Sequence, residues 1–322
     1  MAERKLTLLL LSAGRRVALL ECFRGDARAL GVDLRVLAVD MLPDLSAACS
    51  VADAAFAAPK CTLPEFAPFL LDLCHREGVD IVVPTIDTEL PALARLAAPL
   101  ASQGTRAIIS SERIVSLAHD KLRTAEVLAQ SGIPTPRTTD LDRLDPRDSG
   151  WVWPLLAKPK GGSSSVGVRT LAAPELASLP PGSDLIVQER LVGEEHTVNM
   201  FFDMRGQLRA VVPHLRIETR AGEVSKAETV RDPQLTDIGW RLGAILQGAR
   251  GALCFQTMRR ATGEPVVFEI NARFGGGYPI AHRAGACFSK WLLEETADLP
   301  SSANDDWKSG VRMLRYDAAV FK

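Results

Sequence analysis

Glu269, Asn271 and Arg273 stand two residues apart in the segment F-E-I-N-A-R-F-G-G-G, residues 268–277. In an extended strand successive side chains point to opposite sides, so a carboxylate, an amide oxygen and a guanidinium at this spacing share one face. Hard oxygen donors suit Mg2+, and a fixed cation beside them suits a phosphoryl group in transfer. The apolar run 265–270 supplies the strand and three glycines follow it. A solvated strand edge would show the same alternation, so the meaning of the segment depends on residues upstream.

Upstream, Lys158 and Lys160 flank Pro159 just before Gly161, Gly162, Ser163, Ser164 and Ser165. Small residues let backbone amides approach phosphate oxygens, and serine hydroxyls add donors. No G-K-[ST] leads into a helix here, so this is not a P-loop, and a plain surface hairpin has the same composition. Gln188-Glu189-Arg190-Leu191, followed by Glu195, alternates acceptors with apolar residues. Such a linker could read an adenine edge through its backbone while carboxylates hold ribose hydroxyls. Substrate-facing candidates are fewer. Arg216, Arg220 and Lys226 lie around the segment 217–227 and could hold a carboxylate. Asp87 and Glu89 follow an apolar strand and could meet an amine, although a helix N-terminus explains them as well. Arg15 and Arg16, in S-A-G-R-R, could hold an anion at a helix start.

The elements that must position these residues fall into two styles. Up to about residue 115, buried apolar runs (6–11, 34–39, 81–83, 107–109) alternate with amphipathic helical stretches (near 17–23, 64–76 and 89–100). This is the pattern of an α/β, Rossmann-like parallel sheet, in which ligands gather beyond the carboxyl ends of strands. A helix over 121–130 ends at G-I-P-T-P, and 140–150 reads as a surface linker. Strand-like runs at 155–158, 166–170, 185–188, 196–202, 208–215 and 251–258, with a helix over 234–247, predict an antiparallel α+β remainder. The chain has 322 residues, 47% of them apolar, and a net charge of −1. That balance gives no electrostatic reason to expect nucleic acid or membrane as partner. The first apolar run is too short to span a bilayer, so a cytoplasmic protein is expected. Six cysteines show neither C-x-x-C pairs nor histidine partners at metal spacing and are expected to be reduced core residues.

Taken in order, H-D-K (119–121), A-K-P-K-G-G-S-S-S-V-G-V (157–168), Q-E-R-L-V-G-E-E (188–195) and the 268–277 segment resemble the ATP-grasp superfamily over essentially the whole chain. S-A-G-R-R and V-P-T-I-D-T-E-L (83–90) add to the likeness. The chain is most similar to the carbamoyl-phosphate synthase large subunit and the pyrrolysine-biosynthesis ligase. The resemblance implies a Rossmann-like pre-ATP-grasp domain (1–115), a small lobe carrying the phosphate loop (116–188) and a large lobe with the metal and substrate sites (189–322). It implies ATP as the nucleotide, with one or two Mg2+ ions or Mn2+ in their place. Lys121, Lys158 and 161–165 would contact the phosphates, Glu189 and Leu191 would frame adenine and ribose, and Glu195 would bind the ribose. Gln256, Glu269 and Asn271 would bring oxygens to the metal, with Arg273 and Lys226 as the catalytic cations. The activity implied is an ATP-dependent carboxylate–amine ligase acting on small molecules through an acyl phosphate, in a chain that could pair as a homodimer. Two alternatives stay open: a stand-alone half of a carbamoyl-phosphate synthase acting on bicarbonate or carbamate, and an ATP-binding module without turnover.

Overall fold

The computed structural model describes residues 4–162, 167–178, 180 and 182–321. The first unit runs β1 (Arg4–Leu10), α1 (Val17–Leu30), β2 (Val32–Asp40), α2 (Ala47–Val51), β3 (Ala54–Ala57), α3 (Phe66–Glu77), β4 (Ile81–Val83), α4 (Leu90–Ser102) and β5 (Arg106–Ala107). Its strands pair in parallel in the order β3-β2-β1-β4-β5. Leu8, Leu9 and Leu10 are fully buried, as expected of a strand covered on both faces. The sequence pattern did not reveal the short α2 or the edge strand β3. The A-A-F-A of β3 is short, half-exposed and poor in strand-forming residues.

Two helices lead out of this unit, α5 (Glu112–His119) and α6 (Lys121–Gln130). Asp120 sits between them and caps α6, its carboxylate accepting from the Arg123 amide at 3.0 Å. A small sheet follows: β6 (Thr138–Asp140), β7 (Leu155–Pro159), β8 (Arg169–Leu171) and β9 (Leu185–Gln188), ordered β6-β9-β7-β8 and antiparallel. The remainder is built on β10 (Glu195–Phe202), β11 (Leu208–Arg220), β12 (Glu223–Thr229), α7 (Pro233–Ile245), β13 (Gly251–Arg259), β14 (Pro265–Asn271), α8 (Tyr278–Arg283), α9 (Phe288–Thr296) and β15 (Arg312–Leu314). Its sheet has the order β14-β13-β10-β11-β12-β15. A parallel sheet in the first third and antiparallel sheets after it are the architecture the sequence predicts.

The cores explain how these parts hold together. One apolar cluster joins Leu9, Leu37 and Val82 of the parallel sheet to Val198, Leu253 and Val267 of the large sheet. A second joins Leu8 and Leu10 to Phe201, Ala210 and Val212. The small sheet has its own cluster, made of Leu141, Trp151, Leu155, Ala157, Leu171 and Val187.

Candidate active site

A cavity of about 270 Å3 opens between the small and large sheets. Leu156, Val168, Leu191, Met258 and Phe268 give it apolar walls, while Lys121, Lys158, Glu189 and Glu269 bring charge. Gly161 and Gly162 also line it, whereas Ser163, Ser164 and Ser165 lie outside the described residues. Lys158 comes from β7 and is 5% exposed. Its ammonium donates to Gln188 Oε1 at 2.8 Å and stands 6.0 Å from the centre of the Phe268 ring. Burial pushes its pKa down to about 8, against the pull of Glu269. Lys121, at the start of α6, donates to the Gly162 carbonyl at 2.7 Å, and burial lowers its pKa as well. Gly161 is needed for close approach, because a methyl group there would lie 2.8 Å from His119 Nε2.

The pairing of β13 with β14 sets the floor of the site. Gln256 is opposite Glu269 and Thr257 is opposite Val267, which leaves Phe268 as an extra residue in β14. Such a bulge re-aims side chains. Here it turns the consecutive residues Phe268 and Glu269 into the same cavity. Burial and Asp87 raise the Glu269 pKa, while Lys121, Lys158 and Arg273 pull it back. With its nitrogen toward Glu269, the Gln256 amide donates to Glu269 Oε2 at 2.5 Å and accepts from Arg216. Arg216 in turn pairs with Glu195 at 2.5 Å. A row Glu195–Arg216–Gln256–Glu269 therefore crosses β10, β11, β13 and β14. Beyond it, Asn271 accepts from Arg273 at 3.2 Å, and Arg273 pairs with Asp87 at 2.6 Å. Burial works to lower the Arg273 pKa, but Asp87 raises it and the guanidinium stays charged. A side pocket lined by Asp87, His119, Gly162, Glu269 and Asn271 continues the cavity.

Lys121, Lys158, Gly161, Gly162, Glu189, Leu191, Glu195, Arg216, Gln256, Glu269, Asn271, Arg273 and Asp87 are thus gathered in one region. Others are not. Lys226 is half-exposed on β12 and bound to Glu218 at 2.6 Å, so the catalytic role expected of it is not carried forward. Arg220 is exposed and pairs with Asp317 at 2.9 Å. Glu89 is fully buried and cannot meet an amine. It accepts from the Thr85 amide at 2.6 Å, the Ile86 amide at 3.1 Å and the Ser12 hydroxyl at 2.5 Å. Burial raises its pKa to about 7. Arg15 belongs to a separate group around Glu223.

Sequence reasoning missed several partners. Arg260 holds Glu189 at 2.7 Å, and Gln188 orients Lys158. Spacing also concealed that Cys287 joins Asp26 and His282 within 4.8 Å, through contacts between α1, α8 and the start of α9. Asp26 accepts from Ser289 Oγ at 2.5 Å and meets His282 Nε2 at 3.0 Å. This is a lock between helices rather than part of the cavity.

A two-lobed clasp with lysines on one wall and a strand-end carboxylate and amide on the other has the form of an ATP-grasp fold. Residues 118–277 match the ATP-grasp domain model and residues 8–108 the PylC-like N-terminal domain model. The chain belongs to the ATP-grasp superfamily, and its first unit is of the PylC-like kind. Solved structures of similar fold include the biotin carboxylase domain of Hydrogenobacter thermophilus 2-oxoglutarate carboxylase, determined with MgADP, ADP and bicarbonate. It is 17% identical, with a TM-score of 0.74 over 95% of this chain and 73% of that one. Biotin carboxylase from Campylobacter jejuni is 15% identical, with a TM-score of 0.73 over 95% and 74%. N5-carboxyaminoimidazole ribonucleotide synthetase from Thermotoga maritima is 17% identical, with a TM-score of 0.64 over 94% and 78%. No curated protein sequence matches this chain. Among the described residues no helix is long and apolar enough to cross a membrane.

Proposed function

We propose that the protein is an ATP-dependent carboxylate–amine ligase that works through an acyl phosphate and releases ADP and phosphate. The observation that carries this reading is the convergence of Lys121, Lys158 and Glu269 on one cavity, with Asn271 and Arg273 at its end. The apolar walls and the Glu189–Leu191 edge take the nucleoside, and the lysines take its phosphates. Glu269 and Asn271 offer the hard oxygens that Mg2+ prefers, and Gln256 joins them once its amide turns its oxygen to Glu269. Mg2+ would neutralise charge on the transferring phosphoryl group.

An oxygen of the substrate carboxylate attacks the terminal phosphorus, the bond to the bridging oxygen breaks, and ADP departs. Arg273, kept cationic beside Asp87, offsets the charge that gathers when two anions meet. An amine then attacks the acyl carbon, phosphate leaves, and the amine loses a proton. Closing the small lobe, residues 116–188, over the large lobe, 189–322, would keep water from the acyl phosphate. A cytoplasmic location and a homodimer accompany this reading.

The test is ADP release from Mg-ATP with pooled carboxylates, bicarbonate among them, and pooled amines. Amide product formed in step with ADP is the expected result. Tight Mg-ATP binding with no ADP from any pair would overturn it in favour of a binding module. The intact set of Glu269, Asn271 and Arg273 weighs against that outcome.

A further inference from the structure

Three arginines, two adjacent near the start of the chain and one near its end, surround one carboxylate outside the nucleotide cavity. Arg15 and Arg16 precede α1 beyond the carboxyl end of β1, Glu223 opens β12, and Arg315 follows β15. Glu223 meets Arg15 at 3.1 Å, Arg16 at 3.4 Å and Arg315 at 3.2 Å. Arg16 also reaches the Thr85 carbonyl at 3.4 Å, and Arg315 donates to the Gly276 carbonyl. Gly276 follows Arg273 in the loop after β14, and a methyl group on it would stand 3.0 Å from Arg16 and 3.1 Å from Glu223. The glycine therefore lets the loop bearing Arg273 press against the cluster.

Three guanidinium groups against one carboxylate leave two positive charges over. Mutual repulsion of that kind is costly for arginines held together, and Arg16 has only 17% of its side chain exposed. Arg273 is close enough to add to the repulsion felt by Arg16. Its own charge, however, is already answered by Asp87. The surplus belongs to the cluster, which lies against the loop that carries Arg273.

We infer that Arg15, Arg16 and Arg315 form a subsite for a second carboxylate of the acid substrate, distinct from the carboxylate that is phosphorylated beside Arg273. The substrate class is then a small di-acid, acidic amino acids included. The inference rests on the ligase reading and narrows it. A mono-acid would spend its one carboxylate at Arg273 and leave the cluster uncompensated. A di-acid places one anion at each position, and planar guanidinium groups suit carboxylates by paired hydrogen bonds.

Hydroxylamine can serve as the amine, so that only the acid need be varied. ADP release is measured with Mg-ATP, hydroxylamine and either mono-acids (propionate, butyrate) or di-acids (succinate, glutarate, aspartate, glutamate). The expected result is a kcat/KM at least about tenfold higher for the best di-acid than for any mono-acid. Arg315→Met should raise the KM for that di-acid roughly tenfold to a hundredfold, the worth of one charge-assisted bond, without moving the KM for Mg-ATP. Arg315→Lys should recover part of the loss. Arg315 lies at the rim, so its variants spare the buried contacts of Arg16. Mono-acids used as well as di-acids, or an unmoved KM in Arg315→Met, would overturn the inference while leaving the ligase reading intact. No ADP from any of these acids would overturn the inference; the ligase reading falls only if the wider pools of carboxylates and amines, bicarbonate included, are silent as well.

Discussion

The nucleotide cavity and the arginine cluster both gather positive charge, but the two are built on different foundations. The cavity lies between the small sheet, which has a core of its own, and the large sheet. The cluster lies between the parallel sheet and the large sheet, whose cores are continuous. The charges differ in the same sense. Lys121 and Lys158 are compact ammonium groups that burial brings toward neutrality. In the cluster, burial pushes the Glu223 carboxyl up, but Arg16, Arg15 and Arg315 outweigh it and hold it below its usual range. A wall with a separate core can hinge, as lobes with modest shared interfaces do. A wall sharing its core stays put. The difference suits a triphosphate that must enter and leave as ADP, and an acid whose position sets the reacting geometry.

Substitutions can break this comparison. Glu269→Gln keeps the shape of the strand end and removes the charge, and ADP release should fall on the order of 10³-fold with the melting temperature nearly unchanged. Near wild-type turnover would remove Glu269 from the metal site. Lys158→Met should weaken Mg-ATP binding about tenfold to a hundredfold by calorimetry, the range for a lost charge-assisted bond. Acid-substrate binding should change far less.

The Lys158 pKa of about 8 gives a pH test in which two signs oppose each other. Below pH 8 the free enzyme already carries the ammonium. Above it, Mg-ATP binding must take up a proton, and affinity should fall by up to about tenfold per pH unit. The folding contribution runs the other way. Between pH 8 and the ordinary lysine value the unfolded chain holds the proton and the folded chain does not, so the ligand-free protein gains stability as pH rises. Proton uptake at pH 9, measured calorimetrically in two buffers of different ionisation enthalpy, checks the first sign, and melting against pH checks the second. The smallest effect is expected of Lys226→Met. Its exposed pair with Glu218 lies outside both regions, and turnover should stay within about twofold. A large loss would return Lys226 to the catalytic set.

Much of this was legible in sequence where local geometry decides. The spacing of Glu269, Asn271 and Arg273 placed them together because a strand repeats every two residues. The thirteen-residue interval between Gln256 and Glu269 fits two antiparallel strands joined by a short turn, and those residues are direct partners in the β13–β14 register. The bulge at Phe268 was not legible, since F-E-I-N has the composition of an unbroken strand. Nor was the arginine cluster. Glu223 and Arg315 meet only because β12 pairs with β15 across a long excursion through α7, β13, β14, α8 and α9. Lys226 misleads for a related reason: Val224, two residues before it, is buried, but the register slips at Ser225 between the pairs Thr219–Val224 and Glu218–Lys226, and Lys226 is exposed.

Ser12 has φ 43°, a backbone setting that non-glycine residues rarely adopt, and the buried Glu89 fastens it there through the serine hydroxyl. Four residues later the chain delivers Arg16 to Glu223. The placement of Arg15 and Arg16 therefore leans on a carboxylate buried away from the cavity. If the arginine cluster holds a second carboxylate, variation at Ser12 or Glu89 would retune which acids are accepted while every wall residue stayed the same. A mutational survey confined to the pocket lining would overlook the residues that aim it.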